Sequence, residues 1–166
     1  MREVEVDRFV AERPEVIARA LSPERIVEWE GSFDVVDVEP FGDDSGSVED
    51  AGVRSGDGAE AEGGGEPGGT REATLVTVSG PGVGFRLRFE RLPDGYHYAV
   101  PDETDSAGPF DHMETRLVVA AENKGSRVRI QSTVSLNAPL PFSDRIAAWK
   151  RRGELERALD GLVDAV

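Results

Sequence analysis

The sequence predicts an α+β fold with two layers, an antiparallel sheet under one long helix. Two observations carry this. Most of the chain reads as short alternating strands, each with a single apolar face, and the last stretch, Ser143 to Val166, reads as an uninterrupted helix. A sheet and a helix with matching apolar faces bury them against each other. At 166 residues the chain fits one domain with one core.

The helix is argued from its ends and its stripe. Ser143 is a good N-cap, and Asp144 falls in the first turn, where a carboxylate meets free backbone N–H groups. No proline follows, so the run extends for roughly 36 Å at about 1.5 Å per residue. Leu155, Leu159, Leu162 and Val166 share one face at helical spacing. Ile146, Trp149 and Gly153 fall nearly opposite, at roughly 100° per residue. Three readings follow: a bend near Gly153, a first half packed on something other than the sheet, or a partly exposed Trp149.

In chain order, Glu3 to Ala11 alternates as strand 1. Pro14 opens a short helix to Leu21. Ser22-Pro23-Glu24 starts a second helix with an N-cap, a proline at the first position and an acid in the first turn. Gly31 ends it near Trp29. Phe33 to Glu39 is strand 2, with its register left open by the adjacent Val35 and Val36.

Residues 41 to 70 change character. They hold more than half of the chain's 19 glycines, and eight acids against one arginine. Such a segment lacks apolar surface to bury and is expected to be a disordered insert and solvated spacer. Its glycines are not a phosphate cradle, because no lysine accompanies them.

Strand 3 is Glu72 to Ser79, turning at Gly80-Pro81-Gly82 into strand 4, Gly84 to Arg91. Leu92-Pro93-Asp94-Gly95 closes a hairpin into strand 5, Tyr96 to Val100. An even loop puts Tyr96, Tyr98 and Val100 on the inner face with Phe89, and His97 outward. After a loop from Pro101 to Pro109, Asp111 to Ala121 and Arg127 to Leu136 form strands 6 and 7. A turn at Lys124-Gly125 pairs Val119 with Ile130, Leu117 with Ser132 and Thr115 with Val134. Pro139 and Pro141 lead into the long helix.

Composition limits function. There are 33 acidic residues against 19 basic, for a net charge of -14. This repels nucleic-acid phosphates and anionic membranes, so neither is an expected partner. Only Lys124 and Lys150 are lysines. An acidic, lysine-poor chain is similar in composition to halophile proteins. The absence of cysteine removes disulfides, thiol nucleophiles and Cys-based metal sites. MREVEVDRFV lacks a signal-peptide core, and no apolar run is long enough for stable membrane insertion. The expectation is a soluble cytoplasmic protein, with no oligomeric state specified.

The predicted inner face is mostly Phe, Leu, Val, Ile and Met, including Phe89, Met113, Leu117 and Val134. Its polar members are Tyr96, Tyr98, Thr115 and Ser132. A largely apolar pocket with a few hydroxyls suits a hydrophobic ligand with one or two polar groups. A filled core with those hydroxyls bonded internally suits the same residues. Both readings stay open. His97 and His112 sit on outward faces with no partners spaced for a metal site or an acid–base pair. Asp102, Glu103 and Asp105 lack the glycine and terminal glutamate of a calcium loop. Arg86, Arg88, Arg116, Arg127 and Arg129 share the outer face with acids such as Glu90 and Glu114, making a mixed charged surface.

A family resemblance rests on particular stretches. They are Val6-Asp7-Arg8-Phe9-Val10-Ala11 leading into Pro14-Glu15-Val16, then Leu21-Ser22-Pro23-Glu24 with Trp29. The tail from Gly125-Ser126-Arg127-Val128 through the terminal helix completes them. Together with the element order, they resemble the START-like superfamily (SRPBCC, Bet v 1-like) over the whole chain except the insert. The resemblance implies a helix-grip fold: a curved seven-stranded sheet around the long helix, with two short helices between strands 1 and 2 and an apolar cavity. It also implies a small hydrophobic ligand such as a lipid, isoprenoid or polyketide. Phe89, Tyr96, Tyr98, Met113, Thr115, Leu117, Ser132 and Val134 are the expected ligand-binding residues. No cofactor, metal or catalytic residue is assigned. Two alternatives are a polyketide cyclase or dehydratase-type enzyme orienting a polyketone with Tyr98 and Ser132, and a protein-interaction module using the Trp149 face. The predicted inner face offers no His, Asp or Glu as general acid or base, and this ranks binding first.

Overall fold

A computed structural model describes residues 1–41, 72–102 and 108–166. Residues 42–70 of the expected insert, and Glu103 and Asp105, lie outside the described residues, whereas Phe41, expected to begin the insert, ends the second strand. The elements are β1 (Arg2–Val10), α1 (Pro14–Ala20), α2 (Pro23–Glu30), β2 (Asp34–Phe41), β3 (Ala73–Gly80), β4 (Val83–Leu92), β5 (Gly95–Ala99), β6 (Phe110–Glu122), β7 (Gly125–Leu136) and α3 (Ser143–Ala165). The seven strands form one curved antiparallel sheet in the order β1-β7-β6-β5-β4-β3-β2. The long helix α3 lies on its inner face, against β1, β7 and α2. This is the helix-grip arrangement.

Local chemistry explains the elements. The Ser22 hydroxyl accepts from the Arg25 N–H, capping α2, and Pro23 fills the first helical position. Gly31 ends α2 in the left-handed conformation at φ 71°. Val35 and Val36 are adjacent apolar residues because β2 carries a bulge between Val35 and Asp37. The bulge leaves Val36 on the surface. Pro40 is tolerated because β2 is an edge strand.

The β4–β5 hairpin has the expected even loop. Leu92 pairs with Gly95 and Phe89 with Tyr98, so Tyr98 points inward and His97, opposite Glu90, outward. The β6–β7 register differs from expectation. Val119 pairs with Val128, Leu117 with Ile130, Thr115 with Ser132 and Met113 with Val134. The turn residues are Asn123 and Lys124, at φ 45° and 66°, not Lys124 and Gly125. Asparagine tolerates the left-handed conformation and starts the turn one residue early. Gly125 serves a different purpose: a Cβ there would lie 2.4 Å from the Val10 carbonyl oxygen and 2.7 Å from the Phe9 ring. It lets β1 approach. The turn shift moves each pairing by two residues, so every side chain keeps its face.

The start of α3 also differs. Ser143 is the first helical residue, and Phe142 occupies the cap position at φ 72° with no side-chain cap bond. The Ser143 hydroxyl instead donates to the Ala138 carbonyl, and Asp144 accepts from the Leu136 N–H at 3.2 Å. These bonds fasten the helix start to the end of β7.

Leu155, Ala158, Leu159 and Leu162 are buried, and Leu155 is fully inaccessible. Gly161 lets α2 cross closely, since a Cβ there would fall 2.4 Å from Trp29 Cδ1. In the first half of α3, Ile146 and Trp149 are exposed, at 63% and 78%. The buried residues there are Ala147, Arg151 and Glu154. The inward stripe is therefore continuous from Ala147 to Leu162, and its middle is charged.

Candidate functional site

The charged middle of α3 organises the site. Arg151 is 3% exposed and Glu154 5%. Glu30, the last residue of α2, is also buried. An acid at a helix C-terminus opposes the helix dipole, so it needs a partner, and here the partner is Arg151. The Arg157 Nε donates to the Glu30 carbonyl at 2.9 Å, holding that helix end in place.

The guanidinium of Arg151 grips Glu30 with both terminal nitrogens, each at 3.0 Å. Nη1 also donates to Glu154 at 2.9 Å. Nη2 donates to the Tyr98 hydroxyl at 3.0 Å and to Thr115 Oγ1 at 2.9 Å. Nε donates to Ser132 Oγ at 3.2 Å. Thr115 and Ser132, a cross-strand pair, are 2.8 Å apart, and Ser132 donates on to the Glu114 carbonyl. The Tyr98 hydroxyl donates to Glu30, and the Ser32 hydroxyl donates to Glu154 at 2.5 Å. Among the described residues no buried side-chain nitrogen or oxygen lacks a partner.

Burial works against a charged Arg151, but Glu30, Tyr98 and Glu154 outweigh it and hold its pKa well above the ordinary value. Burial, reinforced by Glu30, pushes the Tyr98 phenol well up as well. Such a cluster adds little net stability, because replacing a buried ion set with apolar residues is often neutral or stabilising by about 1–4 kcal/mol.

A cavity of about 400 Å³ opens beside it, between the first half of α3 and one end of the sheet. Phe33, Val83, Phe110, Val134, Leu136 and Ala147 supply apolar wall, and Ser32, Lys150, Arg151 and Glu154 supply the polar end. Lys150 stands at the rim, 62% exposed, with Nζ 3.7 Å from Glu154. The exposed Ile146 belongs to the same rim. A second cavity, about 240 Å³, lies at the opposite strand ends between α1 and the β4–β5 turn.

The sequence-predicted residues divide among these places. Val134 lines the larger cavity and Tyr96 the smaller one. Tyr98, Thr115 and Ser132 converge on Arg151. Phe89, Met113 and Leu117 pack in the core, where Phe89 stacks on Tyr98 at 4.5 Å between ring centroids. Among the described residues the sheet's inner face contributes no buried acid. Two helices deliver the acids instead, and Glu30, Arg151 and Glu154 were missed for that reason. Glu30 left a signal: α2 has an acid, and no base, in its last turn.

The outer face has more structure than expected. His97 Nε2 lies 2.8 Å from Glu114, and His112 Nε2 is 3.8 Å from the same carboxylate. For His97 the acid comes from the neighbouring strand β6, and for His112 from two residues along its own strand. Among the described residues no His, Asp or Glu group is arranged to hold a metal ion. None of the described helices is long and apolar enough to cross a membrane.

No family model matches the sequence, and no curated protein matches it. Solved structures do. The chain is similar to the protein TTHA0849 from Thermus thermophilus, at 19% identity and TM-score 0.61 over 99% of this chain and 96% of that one. It is similar to a START superfamily protein from Mycobacterium smegmatis, at 14% identity and TM-score 0.61 over 98% and 94%. It is also similar to the Zhui aromatase/cyclase from a Streptomyces species, at 13% identity and TM-score 0.57 over 99% and 90%. With strand order, helix placement and these likenesses in agreement, the chain has the START-like, SRPBCC-type helix-grip fold.

Proposed function

We propose that this protein binds a small hydrophobic ligand in the cavity between the sheet and the first half of α3. One observation carries the reading: a cavity of about 400 Å³ with apolar walls and a polar cluster at one end. Ligand sites have this composition, with volumes of about 300–1,000 Å³. The structural neighbours named START superfamily protein and aromatase/cyclase are consistent with it. Fold alone does not choose among lipid, isoprenoid and polyketide. Of the ligand-binding residues proposed from the sequence, Val134 enters as wall and Tyr98, Thr115 and Ser132 as supports of Arg151, whereas Phe89, Tyr96, Met113 and Leu117 lie outside this cavity.

A cyclase or dehydratase-type reaction is the second reading. Glu154 and Lys150 favour it, because they place a carboxylate and an ammonium at the cavity's polar end. Native mass spectrometry of the purified protein, followed by solvent extraction, tests the first reading. An apolar compound released on denaturation supports it. A bare protein that also takes up no added apolar compound overturns it.

A further inference from the structure

We infer that the occupant of the larger cavity presents a hydrogen-bond donor, a hydroxyl or a protonated amine, to Glu154, and that a carboxylate head is disfavoured there. This rests on the ligand-binding reading above. A buried arginine beside a cavity invites the opposite conclusion, that it holds an anion. The bond inventory excludes that role. Every guanidinium nitrogen of Arg151 is already engaged: Nε on Ser132, Nη1 on both glutamates, and Nη2 on Glu30, Tyr98 and Thr115. A guanidinium has five N–H donors, and none is left for a ligand.

Acceptors are another matter. Both Glu30 oxygens bond Arg151, and one of them also takes the Tyr98 proton. Glu154 Oε2 bonds Arg151, while Oε1 bonds only Ser32. The nearest cation to Oε1, Lys150, is 3.7 Å away and mostly exposed. That is beyond a hydrogen bond and inside the reach of solvent screening. A carboxylate oxygen accepts two bonds, so Glu154, which lines the cavity, has acceptor capacity left at Oε1. Charge agrees with geometry. Within the buried cluster two carboxylates face one guanidinium, and the balancing cation, Lys150, stands at the exposed rim where water screens it. A ligand donor completes Glu154, whereas a ligand carboxylate adds a like charge.

The test is competitive displacement of a fluorescent apolar probe by decylamine, decanol and decanoate. These share a chain and differ only in head group. Wild type should bind the amine about tenfold or more better than decanoate, with decanol between, because a charge-assisted bond is roughly twice as strong as a neutral one. Glu154→Gln is nearly isosteric and should bring amine and alcohol to within about threefold. Lys150→Gln alters an exposed side chain, so the fold is kept, and the amine's lead should grow. Equal displacement by all three heads overturns the inference while leaving the cavity reading intact. So does tightest binding of decanoate that is lost in Lys150→Gln. No probe uptake by wild type overturns both.

Discussion

The two halves of α3 present the same inward side and make it from different chemistry. From Leu155 to Leu162 the buried residues are leucines and an alanine, sealed against the sheet and α2. From Ala147 to Glu154 the inward residues are an alanine, an arginine and a glutamate, and a cavity opens beside them. The apolar half stabilises by burial that needs no partner. The charged half is tolerated only because every group in it is bonded, so it depends on α2, β5, β6 and β7 at once. Regularity of secondary structure is thus no guide to where a helix is specialised.

The largest effect should come from breaking the charged half. Arg151→Met strands Glu30 and Glu154 and should cost about 3–5 kcal/mol in urea unfolding, the usual penalty for breaking a buried ion cluster. Adding Glu30→Gln should recover part of that loss, because one stranded carboxylate is removed. Leu159→Ala, in the apolar half, should cost about 2–5 kcal/mol, and Glu30→Gln should merely add to it. Equal coupling in both backgrounds would erase the distinction between the halves.

A smaller effect separates the halves by pH. Tyr98→Phe should cost about 1–3 kcal/mol at neutral pH, since it leaves bonds of Glu30 and Arg151 unmade. In the folded protein the Tyr98 phenol titrates well above its ordinary value of 10.0. Above about pH 10 the unfolded chain therefore gives up this proton while the folded chain keeps it, and stability falls as pH rises. Melting curves through the alkaline range should fall more steeply for wild type than for Tyr98→Phe. Parallel curves would deny Tyr98 a place in the cluster.

The sheet was largely legible because alternation is a direct consequence of the pleat. Phe89 and Tyr98 share the inner face as their spacing requires, and Thr115 and Ser132 share it too. The β6–β7 register was not, since Asn123 takes the turn and Gly125 is reserved for the passage of β1. The cap of α3 was misread because Ser143 has the right chemistry while Phe142 has the position. The charged half of α3 was hidden for a more general reason. An arginine and a glutamate three residues apart read as a solvated face, and only the arrival of Glu30 from α2 turns them inward. Sequence periodicity registers apolar burial and is blind to burial of paired charge.

Two changes should have little effect. Trp149→Ser removes an exposed side chain and should shift stability by no more than about 0.5 kcal/mol. A larger loss would mean that the outer side of the charged half is not free. Residues 42–71 join β2 to β3, whose ends are brought together by the pairing of Phe41 with Ala73. Replacing residues 43–69 with a short Gly-Ser link should leave the melting temperature within a few degrees, because loop closure depends only weakly on length. Collapse of the fold would give that segment a structural part.

The most direct measurement is apolar probe uptake, read beside thermal melting, for wild type and Ala147→Phe. Ala147 lines the cavity from α3 and has no part in the charge cluster. A phenylalanine there should occupy the space that the probe needs. If the cavity is a binding site, wild type takes up the probe and Ala147→Phe does not, while its melting temperature stays close to wild type. If the space is packed core, wild type takes up no probe, and the added ring overpacks it at a cost of about 1–3 kcal/mol. That second result would contradict the account.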